Sequence, residues 1–299
     1  MTHYTIEKKK VSLKKALIII FVAAVVLVRN IEYLWANQLL AAVRDGDRRE
    51  VEEVLDRRLF FSVNRAAGTP FVFRYTAGWW PETALCAACR QGDPDLVRLL
   101  LEHGADPDKC TIAYSTPLDE TLWPFDVGDD QIIKVLLEYG ASADKKSMQM
   151  DEALLIDAAR VSVFTSDDGE TFCYDPETAA CKLRVYQMIC EAARNKEPLS
   201  DAGEPLLIVA AHAEDLELLT YMIEEQDLDI NAVDAEGNSA LFLDPPTRGM
   251  EYLGTEVARY LLDHGIDTTI RNENGQTALE YARACHNEEV RELLEEYEE

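Results

Sequence analysis

Apolar positions follow two patterns along this chain. Near the N-terminus, Ala16-Leu-Ile-Ile-Ile-Phe-Val-Ala-Ala-Val-Val-Leu-Val28 is uninterrupted, so a helix here is apolar on every side. Such a helix belongs in lipid, because no water-soluble array of helices needs one. From residue 37 onward the apolar residues instead form narrow stripes at helical spacing, interrupted by Gly, Pro, Asp and Asn. That pattern predicts short amphipathic helices joined by tight turns.

The first pattern has two membrane readings, beside that of a helix buried inside a soluble protein. Thirteen residues span about 20 Å as a helix, against a hydrocarbon core of about 30 Å. This length matches the central region of a cleavable signal peptide. A good small-x-small cleavage site is missing, however, and the best cut, after Ala36, places Leu34 and Trp35 beside the bond. An uncleaved anchor is the alternative: Lys14 and Lys15 snorkel, while Ile31, Tyr33, Leu34 and Trp35 lengthen the buried stretch. Lys8, Lys9, Lys10, Lys14 and Lys15 predict a cytoplasmic N-terminus, with the rest of the chain across the membrane. In a bacterium that side is the periplasm; cleavage would give a secreted or periplasmic product. The chain therefore divides into a basic segment at 1–15, an anchor or signal segment at 16–36, and the striped region at 37–299. Leu39-Leu-Ala-Ala-Val43 follows with hardly any linker, so the anchor helix is expected to run into the first helix of the array.

The striped region repeats itself. One unit reads Thr83-Ala-Leu-Cys-Ala-Ala-Cys-Arg-Gln-Gly92, then Asp93-Pro-Asp-Leu96-Val-Arg-Leu-Leu-Leu101-Glu-His-Gly104-Ala-Asp106. Related stretches run from Thr116-Pro117-Leu118 to Asp144, from Asn231 through Gly237 to Leu241, and from Thr269 through Gly275 to Leu279. This unit resembles the ankyrin repeat. Thr-x-Leu opens the first helix, Gly92 ends it, Leu96, Leu99 and Leu100 make the inner stripe of the second, and Gly104 ends that one. The resemblance implies an all-α solenoid of about seven helix–turn–helix units. Leu39, Leu85, Leu118, Leu155, Leu207, Leu241 and Leu279 mark the first helices. Against a period of about 33 residues, the longer intervals place insertions near 60–80, 162–182 and 244–254. Glu214 stands where the fifth unit should have its glycine, and the fourth has no glycine signature, which leaves helix lengths there open. Stability must come from stacking, with Glu280 to Glu299 as a polar cap over Val290, Leu293 and Leu294.

Charge narrows the partners. The net charge is −27, from 56 acidic and 29 basic residues. Such a surface repels phosphate backbones, which argues against nucleic acid, and suits either plain solubility or a basic protein partner. Of seven cysteines, Cys86 and Cys89 fit a helix core; none forms paired CxxC knuckles for zinc. Cys173 and Cys181 flank a polar segment that would close as a disulfide loop in an exported domain.

Ankyrin arrays generally bind proteins along the concave face with fingers and first helices, and the resemblance implies the same here. The first insertion is rich in aromatics, and Tyr75, Trp79 and Trp80 are the expected partner contacts, with Tyr114, Trp123 and Phe125 extending the patch. Packing of this segment over the first units is the competing reading. The acidic insertion at Asp167-Asp168-Gly169-Glu170 lacks the alternating ligands of a calcium loop, so it reads as a solvated loop and no metal is expected. No cofactor or small-molecule substrate is expected either. The histidines are scattered, and nucleophile elbows, phosphate loops and dinucleotide fingerprints are missing, so no catalytic residue is expected. His103 and His264 precede helix-ending glycines and should satisfy terminal carbonyls. The reading is a non-enzymatic, tethered or exported scaffold for a protein partner. An immunity-type neutraliser of a toxic effector, or a self-associating envelope protein, fits the same features.

Overall fold

The computed structural model describes residues 2–57, 61–67, 82–109, 115–122, 125–144, 153–161, 163–165, 173–245 and 253–298. Seven units stack along the chain. Helices α1 (Thr2–Arg44) and α2 (Arg48–Asp56) make the first, α3 (Ala84–Gln91) and α4 (Pro94–Glu102) the second, and α5 (Pro117–Leu122) and α6 (Asp129–Glu138) the third. The fourth holds α7 (Leu154–Arg160) and α8 (Pro176–Ala192), and the fifth α9 (Leu206–His212) and α10 (Leu216–Glu224). The sixth has α11 (Gly254–Asp263), and the seventh α12 (Ala278–Cys285) and α13 (Glu288–Glu298). First helices α1, α3, α5, α7 and α9 touch one another in order, and second helices α4, α6, α8 and α10 form a layer behind them. Among the described residues, the strands are a small antiparallel pair in the second insertion, β1 (Phe164–Thr165) and β2 (Cys173–Tyr174), beside isolated bridges such as Ala67 to Glu82.

Local chemistry explains the helix starts. Thr83 Oγ1 accepts from the Cys86 N–H, and Thr277 forms a capping box with Glu280. Asp47, Asp93 and Asp215 cap the second helices of their units. All seven landmark leucines are buried, Leu279 the most exposed of them at 7%, and they join one core that runs from Trp35 to Leu294. Each unit thus covers the apolar side of its neighbour. His103 and His264 each place Nδ1 2.8 Å from the carbonyl four residues back, as their positions before Gly104 and Gly265 imply.

The sixth unit departs from expectation. Leu241 is buried but lies in a single turn, closed by the Phe242 N–H on the Ser239 carbonyl, and not in a helix. Pro245 stands four residues after Leu241 and is succeeded by a second proline. A proline supplies no N–H and pushes the residue before it out of the helical region, so a helix begun here has nowhere to go. In the fifth unit, Glu214 does take the glycine conformation, at φ 53°. A left-handed non-glycine costs about 1–2 kcal/mol; here Glu214 Oε2 offsets this by accepting from the Leu253 N–H at 2.6 Å.

Helix α1 contains no glycine or proline and continues from the apolar segment into unit one. Its stretch Lys15–Arg44 contains an apolar window of mean hydropathy 2.2, long enough to cross a membrane, and the rest of the protein does not bury that window. The tail of the expected anchor is corrected, though. Trp35 Nε1 donates to the Val54 carbonyl at 3.0 Å, its ring lies 6.0 Å from Phe61, and Ala36 is buried beside it. Trp35 therefore belongs to the core of unit one and cannot lengthen the lipid-facing stretch. Glu32 pairs with Arg65 at 3.3 Å one turn earlier. Only Ile31 and Leu34, on the uncovered side of α1, extend the exposed apolar surface beyond Val28.

Candidate interaction surface

The helix pairs expose two edges and a face. At one edge, the connections that enter each first helix stack as fingers, and backbone N–H groups bind the side chain of the preceding finger. The Asp106 N–H donates to Asn64 Oδ1 at 2.6 Å, that of Ser142 to Asp108 Oδ1 at 2.8 Å, that of Arg194 to Asp144 Oδ1 at 2.8 Å, and that of Asp267 to Asn231 Oδ1 at 2.8 Å. Local sequence gives no sign of this reach of Asp and Asn from one unit to the next, which needs the stack.

Across the face of the first helices runs a chain of ion pairs. Arg44 of α1 binds Glu82, which is 4% exposed and also meets Arg90 of α3 at 2.8 Å; Arg90 Nε reaches Glu120 of α5 at 3.0 Å. Further along, Glu204 collects Arg160 of α7 at 3.0 Å, the Ser200 hydroxyl at 2.9 Å and His212 of α9 at 3.5 Å. With arginines a third to a half exposed, such pairs add little stability each, but they hold charged groups in fixed positions on an open face. Charge is also segregated along the chain. Residues 1–65 carry 12 Lys and Arg against 8 Asp and Glu, whereas the remainder carries 17 against 48. The acidity of this protein belongs to the array beyond its first unit.

A concavity of about 790 Å³ opens between α6 and α8, lined among others by Leu137, Met188 and Ala192 and by Arg184, whose Nε donates to Asp130 at 2.7 Å. One wall is α8, which at 17 residues is longer than any other second helix, and no sequence motif announced it. At the neighbouring end of α6, Asp129 is 6% exposed, and burial lifts its carboxyl to about 6 although its side chain accepts from the Asp126 N–H. A carboxyl whose folded pKa is raised destabilises the fold above that value and stops doing so as pH falls through about 6 towards 3.8. Asp129→Asn keeps the acceptor without the charge. It should stabilise the protein by about 1–2 kcal/mol at pH 7, after allowance for partial solvent screening, and by nothing near pH 4. Urea denaturation of both proteins at the two pH values measures this; a gain that persists near pH 4 would contradict it.

Most of the expected contact residues, Tyr75, Trp79, Trp80, Tyr114 and Trp123, lie outside the described residues. Phe125 is described: it is half-buried and packs on the core, at the end of α5 away from the finger edge. Cys181 is a free thiol buried in α8 against the Gly128 and Asp130 backbone, and not half of a disulfide; the Cys173 side chain lies outside the described ones. Burial pushes Cys86 up to about 12 and raises Cys89 as well, which makes both unreactive core fillers. No group of three or more His, Cys, Asp or Glu side chains suited to a metal occurs among the described residues.

Stacked helix pairs with left-handed turns, capped first helices and a ladder of fingers define an ankyrin-repeat solenoid. Residues 82–112 match the family model of the ankyrin repeat. In structure the chain is similar to the ankyrin repeat protein EF0377, with TM-score 0.53 and 20% identity over 71% of this chain and 96% of that one. It is also similar to the ankyrin repeat domain of Bcl-3, a unique member of the IkappaB protein family, with TM-score 0.57 and 18% identity over 86% and 97%. The human ASB11 ankyrin repeat domain gives TM-score 0.56 and 17% identity over 85% and 96%. At these identities the likeness is one of fold. No curated protein sequence matches the chain significantly.

Proposed function

We propose that this chain is a non-enzymatic scaffold, tethered to a membrane by α1, that holds a basic protein partner on the first-helix face of its ankyrin array. The observation that carries the tether is the continuity of α1: its exposed apolar turns pass without a break into the core of unit one. Ala16 to Ile31 spans about 24 Å, short of a hydrocarbon core of about 30 Å, and snorkelling of Lys14 and Lys15 together with Leu34 on the uncovered side makes up the difference. The lysine cluster sets the N-terminus in the cytoplasm and the array on the opposite side. A retained anchor is favoured over a cleaved signal because a cut after Ala36 would remove Trp35 from the core it fills.

The partner's chemistry follows from the acidic array, which attracts a basic surface and speeds its approach. Trp79 and Trp80 are the expected anchors of that partner. Crosslinking in the native membrane followed by mass spectrometry identifies the partner. The double change Trp79→Ala and Trp80→Ala should then weaken its capture by about tenfold or more. Unchanged capture would remove both tryptophans from the contact, and a crosslink only to a second copy of the chain would replace scaffolding with self-association.

A further inference from the structure

We propose that the finger edge of units one to four lies against the bilayer surface, so that the array runs along the membrane and does not stand away from it. The inference rests on the reading of α1 as a lipid-embedded helix, and the geometry of unit one does the rest. Helix α1 is a first helix of the stack, and the others run parallel to it: Gln91 at the end of α3 donates to the Arg44 carbonyl at the end of α1, 2.8 Å away. All first helices therefore point their N-terminal ends the way α1 points its own, towards the apolar segment. The finger of unit one confirms the side, since Arg65 pairs with Glu32 and Phe61 packs on Trp35 at the turn where α1 leaves the array. The finger ladder through Asn64, Asp108 and Asp144 then extends this edge from unit to unit.

Charge separates the two edges independently. Among the described residues of the connections that form the finger edge of the first four units, Arg57, Arg65, Lys109, Arg194 and Lys196 stand against seven Asp and Glu. The described residues of those at the opposite edge, within 45–47, 92–93, 125–128, 161–175 and 213–215, include seven Asp and Glu and no basic residue. A chain with a net charge of −27 thus gathers basic side chains on one edge, where Lys109 and Lys196 face lipid phosphates, and leaves the described part of the other wholly acidic. Leu199, 61% exposed, sits on the finger edge of unit four, where lipid contact would cover it. The fifth finger, 225–238, carries five acidic residues and no basic one, so contact ends there. With this edge against lipid, the first-helix face and the acidic edge remain for a basic partner, together with Trp79 and Trp80, which lie outside the described residues of the edge.

The test places an encoded fluorescent amino acid at Lys196, on the finger edge, or at Val127, on the acidic edge, in the full chain reconstituted in vesicles of phosphatidylcholine and phosphatidylglycerol. The probe is a nitroxide on the lipid headgroup. The two positions differ in height by a helix of about ten residues, roughly 15 Å. Fluorescence at position 196 should be largely lost while that at 127 stays near its detergent value. Equal quenching, quenching at 127 alone, or quenching at neither, which would leave the finger edge free for a protein, overturns the inference. Flotation of the same vesicles separates the two readings: a chain that fails to float refutes the tether itself, whereas a chain that floats without the edge difference refutes only the orientation.

Discussion

Lys182→Ala should lower the folding stability of the array by about 3–5 kcal/mol, the cost of leaving one member of a buried ion pair without the other. Lys182 of α8 and Asp215 at the start of α10 are 0% and 1% exposed in their side chains, and their charged atoms lie 2.9 Å apart. The contact is off the direction of a good hydrogen bond, and neither atom has another hydrogen-bond partner among the described residues. Burial pushes the Lys182 ammonium below its usual range while Asp215 pulls it back. Removing the lysine strands a carboxylate in the core, and Asp215→Ala strands the ammonium and also deletes the α10 cap, in which Asp215 Oδ1 accepts from the Leu218 N–H at 3.0 Å. The double variant Lys182→Met with Asp215→Asn removes both charges and keeps an acceptor for the cap. Its stability should return to within about 1 kcal/mol of the parent or exceed it. Urea denaturation of the detergent-solubilised full chain gives all four values. Single changes costing under about 1 kcal/mol would mean that the pair is hydrated and not part of the core.

Two lysines in the apolar turns of α1 should abolish membrane retention and leave the array folded. Each charged residue at the centre of a spanning helix costs about 2.5–3.5 kcal/mol, so Ile20→Lys with Ala24→Lys costs roughly 5–7 kcal/mol, or about four to five orders of magnitude in partition. Both residues are exposed and one turn apart on the same side of the helix, and lysine is a good helix former, so neither the core nor α1 loses contacts. The protein should move from the carbonate-washed membrane pellet to the soluble fraction with its thermal midpoint unchanged. Retention in the pellet would point to another means of attachment and end the tether reading. A fall in midpoint would show that the segment packs on the array.

What was legible in the sequence is what repeats or what is uniform. The apolar run at 16–28, the leucines at first-helix positions, and the glycines at turns each state a local requirement, and the fold honours it: Leu118 and Leu207 are buried, and Gly92 and Gly237 take positive φ. Glu214 shows how far the register rules, since the stack imposes a glycine conformation on a glutamate. Other features depended on neighbours that no local pattern names. Trp35 reads in the sequence as the tail of the anchor and is core because Val54 and Phe61 approach it from 19 and 26 residues away. Lys182 sat in a helical stretch as an ordinary surface lysine until α10 brought Asp215 against it. Leu241 kept its burial but lost its helix to the following prolines. Periodicity therefore determined which residues face inward and how many units stack. The tertiary structure alone decided where charges pair, which edge each connection occupies and where the anchor ends, because those depend on distances between segments far apart in the chain.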